Sequence, residues 1–224
     1  GPTISISTVE DPVEFNLPMI SQSQISNSRG FTYPKALRSL MRQDPEAIMI
    51  GEIRDAETAA IAVQAGLTGH MIFSTIHSDS TAGVYARLIN MDIEPFLLAS
   101  SVTGVLGLRL LRTICPGCKI QTQPNPEYLS LLPDGFAEEN EFYTGTGCDS
   151  CSQTGYLGRV AATELLNSSE AVREGVIQKL RTSKLHDIAI EQGMTTLWQN
   201  AMAKVQRGIT SLEEVIRVIS INQL

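Results

Sequence analysis

Apolar and polar positions along the first half of the chain change period several times. Residues 3–9, Thr-Ile-Ser-Ile-Ser-Thr-Val, alternate β-branched apolar residues with small polar ones, which predicts a strand. Residues 32–43 place apolar side chains at 36, 37, 40 and 41, the spacing of one helix face, with Thr32 at the cap and Asp44-Pro45 as the stop. Residues 46–50 form an apolar run too short for a helix and read as a buried strand. Asp55 then caps a helix over Ala-Glu-Thr-Ala-Ala-Ile-Ala-Val-Gln-Ala-Gly-Leu, ended by Gly66 or Gly69. Residues 70–76 are a third strand. A helix follows from about Ser80 to Met91, and Pro95 opens a second apolar helix expected to run to near Arg112. This alternation predicts an α/β fold: a mostly parallel sheet with helices on both faces.

Beyond residue 113 the texture changes. Turn residues dominate Cys-Pro-Gly-Cys-Lys-Ile-Gln-Thr-Gln-Pro-Asn-Pro, and the section closes with Gly-Cys-Asp-Ser-Cys at 147–151. Residues 156–166 read as a strand returning to the main sheet. Residues 168–219 read as four short helices, broken at Gly193 and Gly208, with Thr210 or Ser211 capping the last. The expected division is 1–112, an α/β core; 113–155, a small cysteine-bearing subdomain; and 156–224, the returning strand with a C-terminal helical region.

Composition narrows the function classes. An apolar content of 42% is enough to bury a core, and the net charge of −7 argues against broad binding to nucleic acid. No apolar run reaches the roughly 18 residues of a membrane span.

A parallel sheet sorts its strand ends, and ligands gather in the crevice outside the carboxyl ends. If 3–9, 46–50 and 70–76 are parallel neighbours, one edge collects Glu10, Asp11 and Glu14, then Gly51, Glu52 and Arg54, then Thr75, His77, Ser78 and Asp79. The set suits a phosphoanhydride. One carboxylate can hold Mg²⁺ through its hydration shell, a second can orient or deprotonate a water, and an arginine can neutralise developing charge. Each residue also has a plainer explanation. The first acids can be a solvated loop, Glu52 a complement to a helix dipole, and His77 a turn residue.

The four cysteines form two Cys-x-x-Cys pairs, Cys115/Cys118 and Cys148/Cys151. Two such knuckles aim four thiolates at one ion, and a closed Cys₄ set suits structural Zn²⁺. Two disulfides, four free thiols, an iron–sulfur centre or a redox switch are the alternatives.

The boxes around these residues, taken in order, resemble the ATPases of bacterial type II secretion and type IV pilus assembly. Ser-Thr-Val-Glu-Asp-Pro-Val-Glu-Phe, 7–15, is similar to that family's aspartate box. Residues 37–59, containing Ile-Met-Ile-Gly-Glu-Ile-Arg-Asp, are similar to its Walker B region. Thr-Gly-His-Met-Ile-Phe-Ser-Thr-Ile-His-Ser-Asp-Ser, 68–80, is similar to its histidine box, with His70 and His77 in the two histidine positions. The four cysteines match the tetracysteine element of secretion and pilus-extension members, and 208–218 resembles the C-terminal helix.

The resemblance implies a RecA-like core working as a hexamer, with ATP between subunits and Mg²⁺ in the site. It implies Glu14 as the base or water-positioning acid, Glu52 at the magnesium, and Glu10 and Asp11 in support. Arg54, His77, His70 and Thr75 would form the nucleotide and magnesium side, with His77 on the γ-phosphate and His70 in a structural or coupling role. Arg38 and Arg42 would be inter-subunit cations or surface ion pairs. Implied partners are an inner-membrane platform and cytoplasmic adaptor proteins, at a cytoplasmic location on the bacterial inner membrane. The Gly-x-x-x-x-Gly-Lys-[Ser/Thr] loop such an enzyme needs does not occur in this sequence. In the family it lies upstream of the aspartate box. The expectation is therefore a C-terminal piece, inactive alone, of a longer ATPase. A zinc-stabilised adaptor that hydrolyses nothing is the competing class, and a nucleic-acid-binding zinc ribbon is disfavoured by the acidic balance.

Overall fold

The structure is a computed structural model describing residues 4–132 and 136–219. Residues 1–3, of which Thr3 belongs to the first expected strand, lie outside the described residues, as do 133–135 and 220–224. Along the chain come β1 (Ile6–Glu10), β2 (Ser21–Gln24), α1 (Tyr33–Leu40), β3 (Ala47–Ile50), α2 (Ala56–Leu67), β4 (Met71–Ser74), α3 (Gly83–Ile89) and α4 (Pro95–Ser101). Then follow β5 (Gly104–Ile114), β6 (Lys119–Thr122), α5 (Pro126–Leu129), α6 (Phe136–Glu139), β7 (Phe142–Gly145) and β8 (Tyr156–Asn167). Four helices close the chain: α7 (Glu170–Ile177), α8 (Thr182–Glu191), α9 (Leu197–Gln206) and α10 (Leu212–Val218). Among the described residues no helix is long and apolar enough to cross a membrane.

Two compact units divide these elements. The first is Gly1–Val105 with Asn167–Gln192; the second is Leu106–Leu166 with Gly193–Leu224. The cysteine segment thus shares a unit with the last two helices, whereas α7 and α8 belong with the sheet, a different partition from 1–112, 113–155 and 156–224.

In the first unit β1 to β4 form one parallel sheet in the order β2-β1-β3-β4. The central strands are the buried ones: Val9, Ile48 and Ile50 are inaccessible to solvent, and Ala36, Leu37 and Leu40 of α1 and Ala62 of α2 pack on them. The helix starts follow local chemistry. Asp55 accepts the Thr58 N–H at 2.8 Å and caps α2, as its position predicts. Thr32 occupies the α1 cap position, but its side chain makes no capping bond. In this unit α4 packs on α7, and a 2.7 Å hydrogen bond between Tyr85 of α3 and Ser168 ties α3 to the segment that leads into α7.

Two sequence expectations are corrected. The apolar helix from Pro95 stops at Ser101, and 104–114 is strand β5. Gly104 and Gly107 disfavour a helix there, and Leu106, Leu108 and Leu110 alternate with less exposed neighbours in the period of a strand. Residues 156–167 do form a strand, but β8 pairs with β5 in a separate two-stranded sheet and does not join the main one. β5 supplies a partner of nearly equal length. Just past the paired strands the Cys115 N–H donates to Gly155 O, and within them the Thr113 side-chain hydroxyl donates to Leu157 O.

The second unit also holds the antiparallel hairpin β6–β7. Its core gathers Leu111, Phe142, Ala162, Leu197, Ala201, Met202, Val205, Leu212 and Val215, with Trp198 packed against it.

Candidate functional site

Because all four strands of the main sheet point the same way, their carboxyl ends share one edge. In register, Val9 lies opposite Ile50 and Ile50 opposite Ser74, so the segments after β1, β3 and β4 begin side by side. Backbone bonds carry the pairing past the strands. Gly51 N–H donates to Val9 O at 2.7 Å and Ile53 N–H to Thr75 O at 2.9 Å. The Thr75 hydroxyl donates to Gly51 O at 2.6 Å, so Thr75 ties β4 to the turn that carries Glu52. Gly51 is required by close approach: a Cβ there would stand 2.9 Å from the Tyr33 hydroxyl and 3.2 Å from Val9 O.

Glu52 is the meeting point. Its side chain is 14% exposed, one carboxylate oxygen pairs with Arg54, and the other lies 3.7 Å from His77 Nε2. Arg54 and His77 stand in solvent, with side chains 67% and 89% exposed. The bond to Glu52 holds the Arg54 guanidinium above its usual pKa. The Glu52 carboxylate therefore lies within the protein surface, while the cation and the imidazole remain able to turn toward a ligand.

The three acids after β1 differ from one another. Glu10 is buried, and its Oε1 accepts from the Thr8 hydroxyl at 2.5 Å and from Gln22 Nε2 at 2.9 Å. Its carboxylate is committed to the sheet. Asp11 is exposed and precedes Pro12 through a cis peptide. Glu14 is exposed and, among the described residues, makes no hydrogen bond or ion pair. Its hydrogen-bonding capacity remains open to a ligand.

His70 is not brought to this edge. It precedes the first residue of β4, whereas His77 follows the last, so the extended strand separates the two by the depth of the sheet. There its Nδ1 lies 3.2 Å from both Ala65 O and Thr68 Oγ1, closing the end of α2. These contacts give His70 a structural position at the end of α2. Arg38 pairs with Glu57 at 2.7 Å, with both side chains exposed, a surface ion pair.

Two residues of the edge escaped sequence reasoning. Burial first, then the carboxylates of Asp11 and Glu52, raise the Tyr33 phenol above its usual pKa, which marks it as a neighbour of both. Its position just before Pro34 at a helix start was the only signal. Gln22, from a strand of alternating serine and glutamine, reaches Glu10; nothing in so polar a strand advertises it.

In the second unit the four cysteines converge. The Sγ atoms all lie within 4.8 Å of one another, with Cys115–Cys148, Cys118–Cys151 and Cys148–Cys151 at 3.8, 3.9 and 3.8 Å. Four thiolates about 2.3 Å from a central Zn²⁺ would be about 3.8 Å apart along each tetrahedral edge. The separations fit that ion and are far from the roughly 2 Å of a disulfide; all four cysteines are free. Burial works against the Cys151 thiolate, but N–H donors from Cys148 and Gly155 and neighbouring thiols more than offset it, lowering its pKa to about 6.

The chain is similar to known proteins in sequence and in fold. Residues 2–217 match the profile of the family described as Type II/IV secretion system protein. The chain is 42% identical over 217 residues to the type IV pilus assembly ATPase PilB of Thermus thermophilus, covering 96% of this chain and 24% of that protein. It is 43% identical over 214 residues to the type II secretion system ATPase E of Vibrio cholerae, covering 96% of this chain and 42% of that protein. It thus spans well under half of either relative. Among solved structures, the pilus retraction motor PilT with bound ADP superposes with a TM-score of 0.67 at 23% identity. That likeness, one of fold, covers 96% of this chain and 52% of the other.

Proposed function

The chain belongs to the Type II/IV secretion system protein family, and from that premise we propose that its first unit carries one side of an ATP-hydrolysing site serving type II protein secretion or type IV pilus assembly. The observation that carries this reading is the meeting, at one sheet edge, of the end of β1, from which the Glu14-bearing loop departs, with Glu52 and the segment from Thr75 to His77.

In this reading Glu14, exposed and uncommitted, accepts the proton of the attacking water as the oxygen–phosphorus bond forms and ADP leaves. Mg²⁺, when bound, neutralises charge on the phosphate oxygens. The oxygen donors of this edge suit so hard a cation, with Glu52 as the residue that would hold it through water. Arg54 and His77 swing from Glu52 toward the phosphates, the first offsetting negative charge and the second donating a hydrogen bond from its imidazole. Glu10 fixes the end of β1, and Asp11 adds negative charge beside Tyr33. The cysteines hold one structural zinc.

The phosphate-cradling loop must come from outside these 224 residues. The outer edge of β4 offers it a place: among the described strands β4 pairs only with β3, and its Met71 and Phe73 are exposed. A further parallel strand added there would bring its carboxyl end beside Thr75 and His77. In this reading the working enzyme is a hexamer in the cytoplasm, engaged with an inner-membrane platform and adaptors, and the 224 residues alone do not turn over ATP.

The test is steady-state ATP hydrolysis by the full-length protein. E14Q and E52Q each lower kcat by about 100-fold or more with the fold intact, and chelation of Mg²⁺ abolishes turnover. Wild-type rates in both variants would overturn the assignment. Micromolar ATP binding to the 224-residue chain would overturn the claim that the loop must come from outside it.

A further inference from the structure

Gln22 does more than pair its strand. Its side-chain Nε2 donates to Glu10 Oε1 at 2.9 Å and to Phe15 O at 3.0 Å, and its Oε1 accepts the Leu17 N–H at 2.6 Å. One amide thus holds the last residue of β1 and the far side of the loop that follows it. The neighbouring Gln24 adds a weaker strap, accepting the Val13 N–H at 3.2 Å. Between these fixed points stands Glu14. The loop has little else to hold it, since Phe15, Leu17 and Met19 are 78%, 50% and 74% exposed and bury no core. Polar bonds from β2, not packing, set its shape.

We propose that Gln22 is a positioning residue for the hydrolysis reaction: its carboxamide fixes the 11–17 loop so that Glu14 is presented at a set height above the sheet edge. This rests on the reading of Glu14 as the acid that handles the attacking water. A misplacement of about 1 Å at such a residue lowers turnover by as much as 100-fold, while substrate affinity, set by the phosphate contacts, changes little. Both halves of the amide are needed. The acceptor half holds the backbone at Leu17, and the donor half ties Glu10 to Phe15.

Two variants separate the halves. Q22M keeps the length of the side chain and loses both functions. Q22E keeps the acceptor for Leu17 and loses the donor. In the 224-residue chain, hydrogen exchange at the Leu17 amide is expected to speed up in Q22M and to stay slow in Q22E. In the full-length protein both variants are expected to lose 10- to 100-fold in kcat, with KM for ATP within twofold and the protein still folded at the assay temperature. Slow exchange at Leu17 in Q22M would overturn the clamp itself. Fast exchange with wild-type kcat would overturn the positioning role. A fall in kcat that follows unfolding at the assay temperature would assign Gln22 to stability alone. E14Q run beside them isolates the premise: if E14Q turns over normally while exchange at Leu17 responds as expected, the clamp stands and the assignment of Glu14 fails.

Discussion

Glu214 in the second unit and the carboxylates Glu14 and Glu52 at the sheet edge of the first are used in opposite ways. Glu214 at the start of α10 is fully buried and accepts from Arg112 N, Nε and Nη2 and from Arg217 Nε and Nη2, at 2.7–3.0 Å. Its capacity is spent on the protein. Glu14 at the sheet edge is exposed with no partner among the described residues, and Glu52 leans on two side chains that solvent can take back. A buried, saturated charge builds structure, because breaking it leaves the remainder unpaired. An exposed, unsaturated set can afford to be rearranged by a ligand. The same contrast runs through the cysteines, which close on one another, and the edge residues, which face outward.

The largest effect expected from this contrast comes with metal removal. Cys115 directly follows β5, whose Arg112 grips Glu214. Cys151 precedes β8, whose Tyr156 lies 4.1 Å under the Arg112 guanidinium and shares a 2.7 Å hydrogen bond with Ser211 at the α10 cap. Loosening the four cysteines therefore frees both strands that hold the last helix. The purified chain should carry one zinc by elemental analysis. Chelation should shift the emission of Trp198, which packs on the second unit's core and is the chain's one tryptophan. Amide exchange at Val9, Ile48 and Ile50 in the first unit should stay slow. A folded, metal-free chain with four titratable thiols would break the contrast.

Acid should act next, and through Glu214. Burial opposes its charge, but the bonds from Arg217 and Arg112 outweigh it and lower the carboxyl from 4.5 to about 2. A depressed native pKa means that the contribution is complete above the unfolded value. It is lost as pH falls from about 4.5 toward 2. E214Q should remove about 2 kcal/mol at neutral pH, below the figure for a wholly buried pair because both arginines reach solvent. It should also flatten the acid limb of stability between those values. Chemical denaturation across that range, followed at Trp198, reads both; an unchanged acid limb in E214Q would remove Glu214 from its structural role.

How far each region was legible in sequence follows from what its chemistry looks like along the chain. An alternating β-branched segment and two short apolar runs, each followed by polar or charged residues, gave β1, β3 and β4 and the edge they share, because a parallel sheet turns strand order into spatial neighbourhood. β2 was invisible since Ser21–Gln24 carries no apolar residue, and with it went Gln22. The leucines of β5 read as a helix face continuing from Pro95, although Gly104 and Gly107 argued otherwise. His70 and His77 share a box in sequence, but an extended strand lies between them. The cysteines were readable because ligand spacing is local. The grouping of α7 and α8 with the sheet is carried by long-range pairings such as Tyr85 with Ser168, 83 residues apart, which leave no local mark along the chain. Nor was Glu214 legible, because its partner Arg112 lies 102 residues away.

The smallest effect expected is at the edge itself, and its smallness is the point. Glu14 buries nothing and bonds to nothing among the described residues, so E14Q should change unfolding free energy by less than about 0.5 kcal/mol, as surface substitutions away from special features do. Glu52 is more enclosed, but its partners Arg54 and His77 are mostly in water. Screening and rehydration leave such pairs worth about 0 to 1 kcal/mol, and E52Q should stay within that range. Urea unfolding of both variants beside E214Q gives the three values on one scale. If E14Q or E52Q destabilised the chain as much as E214Q, the edge carboxylates would be structural charges like Glu214, with no unspent capacity for a phosphate or a metal. Stability kept while turnover is lost identifies groups whose bonds are completed by the ligand and not by the fold.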